Sequence, residues 1–179
     1  MSDPSPSPQR SRSTDSRGLY SVAQVQHLLR IEFARAQRYA YPLSCLVLAV
    51  DQLDALRDAH GYEFKELVLG ALVDLLRRST RSSDFMGRTA DDRLIVLLPH
   101  TSAAGARTLA ARLIEHAGAL DLERGGARAR ISLSIGVSAL AGSGLLFHDA
   151  LHREAELALA EAIAAGGGRL VERVVGGQA

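Results

Sequence analysis

Arg81 and Asp84, separated by two serines, set a guanidinium and a carboxylate three positions apart. An arginine fork can bond guanine O6 and N7 or a phosphate, and a carboxylate can accept from N–H donors on a base edge. The same spacing recurs at Arg12/Asp15 and Arg88/Asp91. With this content of Arg and Asp about one such pair is expected by chance, so spacing alone assigns nothing. A structural alternative is that Arg81 only caps the C-terminus of the preceding helix. A second group, Asp51, Asp54, Asp58, Asp91 and Asp92, has the oxygen chemistry of a divalent-cation site. Its positions on strand and turn are not preorganised as one cage, so a solvated acidic face is expected. His60 and His100 are read as loop residues, and the six histidines as no metal site. Cys45 is the single cysteine, which excludes an intrachain disulfide and a cysteine-based zinc site. No Ser/His/Asp or Cys/His constellation is present, and neither a catalytic residue, a metal nor a cofactor is expected.

The elements that must position these groups follow from hydrophobic periodicity. Val22 to Tyr39 reads as a helix, and LSCLVLAV (Leu43 to Val50) as a buried strand. Tyr62 to Arg78 is an amphipathic helix through Phe64, Leu67, Val68, Ala71, Leu72 and Leu75. Asp84 to Thr89 and Arg93 to Leu98 read as a hairpin around a polar turn. A helix runs from Thr101 to about Ala117, with Thr101 or Ser102 as N-cap. Ala129 to Ser138 alternates as a strand with one buried face. Phe147 to Ala165 is an Ala-rich helix stopped by Gly166-Gly167-Gly168, and Arg169 to Val175 is a last strand. The order is α+β, with a mostly antiparallel central sheet flanked by helices; it fits nucleotidyl-cyclase and palm-like folds and equally permits other ferredoxin-like domains.

Composition narrows the function classes. A net charge of +1 gives no reason to expect nucleic acid or a membrane surface. No apolar run is long enough to span a bilayer, and no signal-peptide core is seen, so a cytoplasmic protein is expected. Lys65 is the only lysine among the basic residues. Residues 1–17, rich in Pro, Ser and Arg, are expected to be a disordered tail, 18–175 one domain, and 176–179 a short tail. Tyr39, Tyr41 and Leu53 are candidates either for exposed apolar contacts or for core and edge packing.

Six segments, taken in order, resemble the GGDEF (diguanylate cyclase) family: GLYSVAQV, EFARAQRYAYPLS, LAVDQLDALRDAHG, LLPHT, SIGVS and AELALAEAIAAGGGRLV. The family signature belongs in the hairpin turn, where this chain has Ala90-Asp91-Asp92-Arg93-Leu94. The resemblance implies a domain whose relatives bind metal through carboxylates on the first strand and in the turn. Here those positions are Ala49 and the pair Asp92 and Arg93. The strand-end Asp51 is kept, the guanine-reading positions become Arg57 and Glu66, and the phosphate-binding positions become Ile163 and Gly167. Loss of the turn glycines to Ala90 and Asp91 would also hinder close backbone approach to a nucleotide. The resemblance therefore implies a cyclase fold without the reaction.

The family also binds its product, cyclic di-GMP, at an R-x-x-D site upstream of the signature. Arg81 and Asp84 fall at that offset, and Arg112 matches a further family arginine. The implied role is a cyclic di-GMP receptor with Arg81, Asp84 and Arg112 as ligand residues, an unidentified protein partner and possible ligand-linked homodimerisation. The alternatives are a motif merely inherited from an active ancestor, and a nucleotide-independent interaction module.

Overall fold

The computed structural model describes residues 18–140 and 148–176. The expected N-terminal tail, Phe147 and residues 177–179 lie outside the described residues. The chain forms β1 (Tyr20–Ser21), α1 (Val22–Tyr39), β2 (Leu43–Val50), α2 (Leu53–His60), α3 (Tyr62–Ser79), β3 (Phe85–Arg88) and β4 (Leu94–Pro99). It continues through α4 (Ala103–Gly118), β5 (Leu122–Arg124), β6 (Ala127–Ala129), β7 (Leu133–Leu140), α5 (His148–Ala164) and β8 (Leu170–Val175). Six strands make one mixed sheet in the order β1-β3-β4-β2-β7-β8, and β5 pairs with β6 separately. The three inner pairings are antiparallel, while β1–β3 and β7–β8 are parallel.

The two-residue period of the strands builds a core on each side of the sheet. Leu46, Leu48 and Val50 of β2 join Leu94, Val96 and Leu98 of β4 under α3 and α4. Leu43, Cys45 and Val47 join Ile95 and Leu97 on the other side, under α1 and α5. Buried on both faces, these strands read as continuous apolar runs rather than alternating ones. Helix α1 begins with a capping box: Ser21 Oγ accepts from Gln24 N–H, and Gln24 Oε1 accepts from Ser21 N–H at 2.8 Å. Ser102 caps α4 by accepting from Gly105 N–H.

Strand β7 corrects the sequence expectation. It starts at Leu133 rather than Ala129, because residues 127–129 pair with β5 instead. Its apparently polar face, Ser134, Gly136 and Ser138, is fully buried. These residues are small because α5 lies directly on them. A Cβ at Gly136 would fall 1.9 Å from Ala155 O and 2.4 Å from Leu159 N. Ser138 Oγ donates to Leu151 O at 2.5 Å.

Three elements escaped periodicity: β1, α2 and the β5–β6 hairpin, of two, eight and three residues per segment. Helix α2 is held by Leu53 and Leu56, which pack on the core, and ends at Gly61, whose φ of 88° also starts α3. Leu53 is thus core packing rather than an exposed contact. Tyr41 is likewise half-buried: its ring stacks on His100 at 3.9 Å and its hydroxyl donates to Glu32 Oε2 at 2.8 Å. Burial, with the Glu32 bond and charge, pushes the Tyr41 phenol up to about 12. Tyr39 is exposed. No helix among the described residues is long and apolar enough to cross a membrane.

Gly136→Ala forces the added methyl into α5 backbone that cannot rotate away. It is expected to cost roughly 3 kcal/mol or more, read as a lowered urea midpoint, since overpacking against a fixed wall exceeds the usual cost of an added methylene.

Candidate functional site

The β3–β4 turn closes through Thr89 N–H to Arg93 O at 2.9 Å and Asp92 N–H to Thr89 O at 3.2 Å. Asp92 takes the left-handed conformation, with φ 65°, which Asp tolerates better than most residues. Ala90 and Asp91 are not in that region, so the turn does not require glycine at either position. Together with Ala49, Gln52, Asp54 and Ile163, the turn residues Asp91, Asp92 and Arg93 border a cleft of about 330 Å³.

Every carboxylate of the turn is engaged by the chain itself. Asp92 Oδ1 accepts from Arg88 Nε at 3.0 Å and also from Arg88 Nη2, while its Oδ2 pairs with Lys65. Arg88 Nη2 reaches on to Glu66 Oε1 at 3.3 Å. Burial alone would raise the Asp92 carboxyl, but the Lys65 and Arg88 hydrogen bonds overcome it and hold it below the usual carboxylate range. On the other side Arg93 Nε lies 3.0 Å from Asp91 Oδ2, and Arg93 Nη1 lies 2.5 Å from Glu156 Oε2 on α5. The contact with His152, 3.4 Å away, and then the Arg93 charge hold Glu156 below its ordinary range against the effect of burial.

Asp51 is similarly committed. Its carboxylate accepts from Ser134 Oγ and Ser132 Oγ, both at 2.6 Å, and from Gly168 N–H at 2.8 Å. Gly167, with φ 74°, passes so close that a Cβ there would stand 2.8 Å from the Asp51 carboxylate. Arg57 lies on α2 and pairs with Asp54 and Asp58, each at 2.9 Å. Ala90 is exposed at the turn tip, and Leu94 is buried in β4. The five aspartates expected as an acidic face are thus dispersed among separate pairings. His148 and His152 stand four residues apart on α5, a spacing passed over in the sequence, but no group of three or more His, Cys, Asp or Glu among the described residues could hold a metal.

Arg81, Asp84 and Arg112 line one groove of about 390 Å³ between the end of α3 and the face of α4. Asp84 Oδ2 accepts from Arg81 N–H at 2.7 Å, and Asp84 N–H donates to Arg81 O at 3.1 Å, so the carboxylate shapes the turn. Asp84 Oδ1 is buried with no hydrogen-bond partner among the described residues. Burial raises the Asp84 carboxyl, and the Arg81 N–H bond and charge offset this only in part. The guanidinium of Arg81 has no hydrogen-bond or ion-pair partner among the described residues. It does not cap α3: Arg112 Nη2 donates to Ser79 O at 3.3 Å, and Thr80 Oγ1 donates to Leu76 O at 2.8 Å.

Comparison with known proteins agrees with this architecture. The family model described as "Diguanylate cyclase, GGDEF domain" matches residues 16–169. The chain belongs to the GGDEF family. The diguanylate cyclase DgcP of Pseudomonas aeruginosa is 31% identical over 153 residues, covering 86% of this chain and 22% of that protein. The response regulator PleD of Caulobacter vibrioides is 28% identical over 127 residues, covering 70% and 27%. This GGDEF domain therefore spans about a quarter of the length of these relatives. Among solved structures, the GGDEF domain of DgcB from Caulobacter crescentus in complex with c-di-GMP superposes with TM-score 0.84 at 18% identity, covering 96% of this chain and 98% of that one. The active GGEEF domain of a Vibrio cholerae diguanylate cyclase superposes with TM-score 0.79 at 25% identity, covering 86% and 97%.

Sequence reasoning did not find Lys65, Arg88, Glu156, Ser132 or Ser134, which hold the acidic residues of this GGDEF domain in place. The lone lysine was a usable signal. The rest needed the fold, because the partners come from distant segments.

Two outcomes are expected. Arg93→Glu sets a third carboxylate beside Asp91 and Glu156 and should lower stability by about 1 kcal/mol, the pair being partly exposed; adding Glu156→Arg should recover part of the loss. Asp92 and Glu156 have folded-state pKa values below their unfolded ones, so their stabilisation is present above the ordinary carboxylate range and is lost as pH falls through the depressed values. The urea midpoint should hold from about pH 7 to 5 and drop below about pH 4, with a shallower drop in Asp92→Asn.

Proposed function

We propose that this domain does not join two GTP molecules but binds the product, cyclic di-GMP, in the Arg81–Asp84–Arg112 groove as a signalling receptor. One observation carries the proposal: in a single groove, an unpartnered guanidinium and a second arginine stand beside a buried carboxylate oxygen with no donor. A buried acceptor left unpaired costs about 1–3 kcal/mol, which a ligand N–H recovers on binding. A guanine edge offers such donors, and its phosphates suit the two arginines.

The absence of turnover is supported by the cleft. Phosphoryl transfer needs divalent metal on the phosphates. Ala49 offers no ligand oxygen, both oxygens of Asp92 face cations of the chain, and Arg93 stands where a family carboxylate would be. These residues do not fit a divalent cation. Ile163 and Gly167 supply no charge for a triphosphate. The relative DgcB is described in complex with c-di-GMP, and SiaD of Pseudomonas aeruginosa in complex with its activator SiaC, which favours a ligand and a protein partner for this chain too.

Calorimetric titration is expected to give a Kd in the micromolar range or tighter for cyclic di-GMP, abolished by Arg81→Ala with Asp84→Ala, while GTP with Mg²⁺ yields no cyclic di-GMP. Light scattering should show a ligand-dependent shift toward dimer. A flat wild-type titration rejects the receptor and leaves a nucleotide-independent adaptor. Because burial raises the Asp84 pKa and a ligand N–H favours its ionised form, affinity should rise with pH as Asp84 ionises above the ordinary carboxylate range, and Asp84→Asn should remove that dependence.

A further inference from the structure

We infer that Ala104, Gly105 and Thr108 form a flat floor to the groove, and that this floor, rather than the charged rim alone, restricts the site to a ligand thin enough to lie along α4. The inference rests on the groove being the ligand site proposed above.

Thr101, Ala104, Gly105, Thr108 and Arg112 all border the groove. Their spacing of three and four residues puts them on one stripe of α4 and its N-terminal flank. The charged groups sit at the margins: Arg112 at the far end of the stripe, and Arg81 with Asp84 on the opposite wall. Between them the helix offers the exposed Ala104, Gly105 and Thr108, flanked by the half-buried Leu109, and no charged group. Thr108 Oγ1 donates back to Ala104 O at 2.9 Å, so its hydroxyl is satisfied within the helix and demands nothing of a ligand. Any longer side chain at these positions would enter the space between the arginines.

Gly105 has no positive φ, and a Cβ there would meet Thr101 Cγ2 at 3.2 Å and Ser102 Oγ at 3.6 Å, so Thr101 must give by a few tenths of an ångström to admit a side chain. Glycine within a helix disfavours the folded state by up to about 1 kcal/mol relative to alanine. A ligand that grips both arginines must lie against this stripe, and a planar base or ribose face packs there without displacing a side chain. The floor thus adds shape selection to a rim that by charge alone would accept any phosphate.

The test is a cyclic di-GMP titration of the full chain carrying Thr108→Gln or Gly105→Gln, with Arg107→Gln as control. Glutamine is neutral and helix-favouring, so every charge of the groove is kept. Arg107 is adjacent in sequence but faces Glu172, 3.5 Å away, and does not border the groove. The expected result is a Kd raised about tenfold or more in both glutamine variants, with melting temperatures not lowered and the control unchanged, since a filled contact surface removes binding that charge cannot replace. Should Gly105→Gln misfold against Thr101, the exposed mid-helix Thr108→Gln carries the test. Wild-type-like affinity in Thr108→Gln, with wild type binding, overturns the floor and leaves the receptor standing. A wild type that does not bind overturns both.

Discussion

The contact of α5 with β7 governs the geometry of this domain. At Gly136 the helix backbone comes so near the strand that no side chain fits between them, and Ser138 ties the strand to Leu151 O. Close packing leaves such an interface little freedom to slide. Once α5 is seated in that register, Glu156 stands opposite Arg93, Ile163 borders the cleft beside the turn, and the glycine turn that ends the helix closes on Asp51. The pairing of Arg93 with Glu156 is a consequence of where a glycine and two serines let the helix rest.

The two candidate regions differ in how their polar groups are satisfied. Around the β3–β4 turn, three cations and four carboxylates pair with one another, and Asp51 is bound by two hydroxyls and a backbone N–H. In the groove beyond α3, the Arg81 guanidinium and Asp84 Oδ1 lack hydrogen-bond partners among the described residues, and Arg112 holds a helix-end carbonyl. Fully satisfied polar networks rigidify a fold, whereas partly satisfied ones leave binding free energy available to a ligand. The contrast separates a cleft closed from within from a groove open to an external partner.

Much of the fold was legible in the chain. The bounds of α1 and β2 follow directly from Val25, Leu29 and Phe33 on one helical stripe and from the unbroken apolar run of LSCLVLAV. The β7 face was misjudged because serine and glycine look solvent-facing in an alternating pattern, yet they are also what a close helix requires. Short α2 and the β5–β6 hairpin left too few residues for a period to register.

By itself the sequence determined the family, the order of elements and the residue types at the turn: Ala90, Asp91, Asp92 and Arg93 are facts of composition that no folding can alter. It also placed Arg81 and Asp84 at a telling offset. Only the tertiary structure decided which charges meet. Lys65 and Arg88 on Asp92, Glu156 on Arg93, and Arg112 across the groove from Arg81 join segments far apart in the chain. The physical reason is range. Periodicity and capping act over a few residues, so they can be read locally, whereas ion pairing and burial depend on which distant surfaces the packed helices bring within a few ångströms.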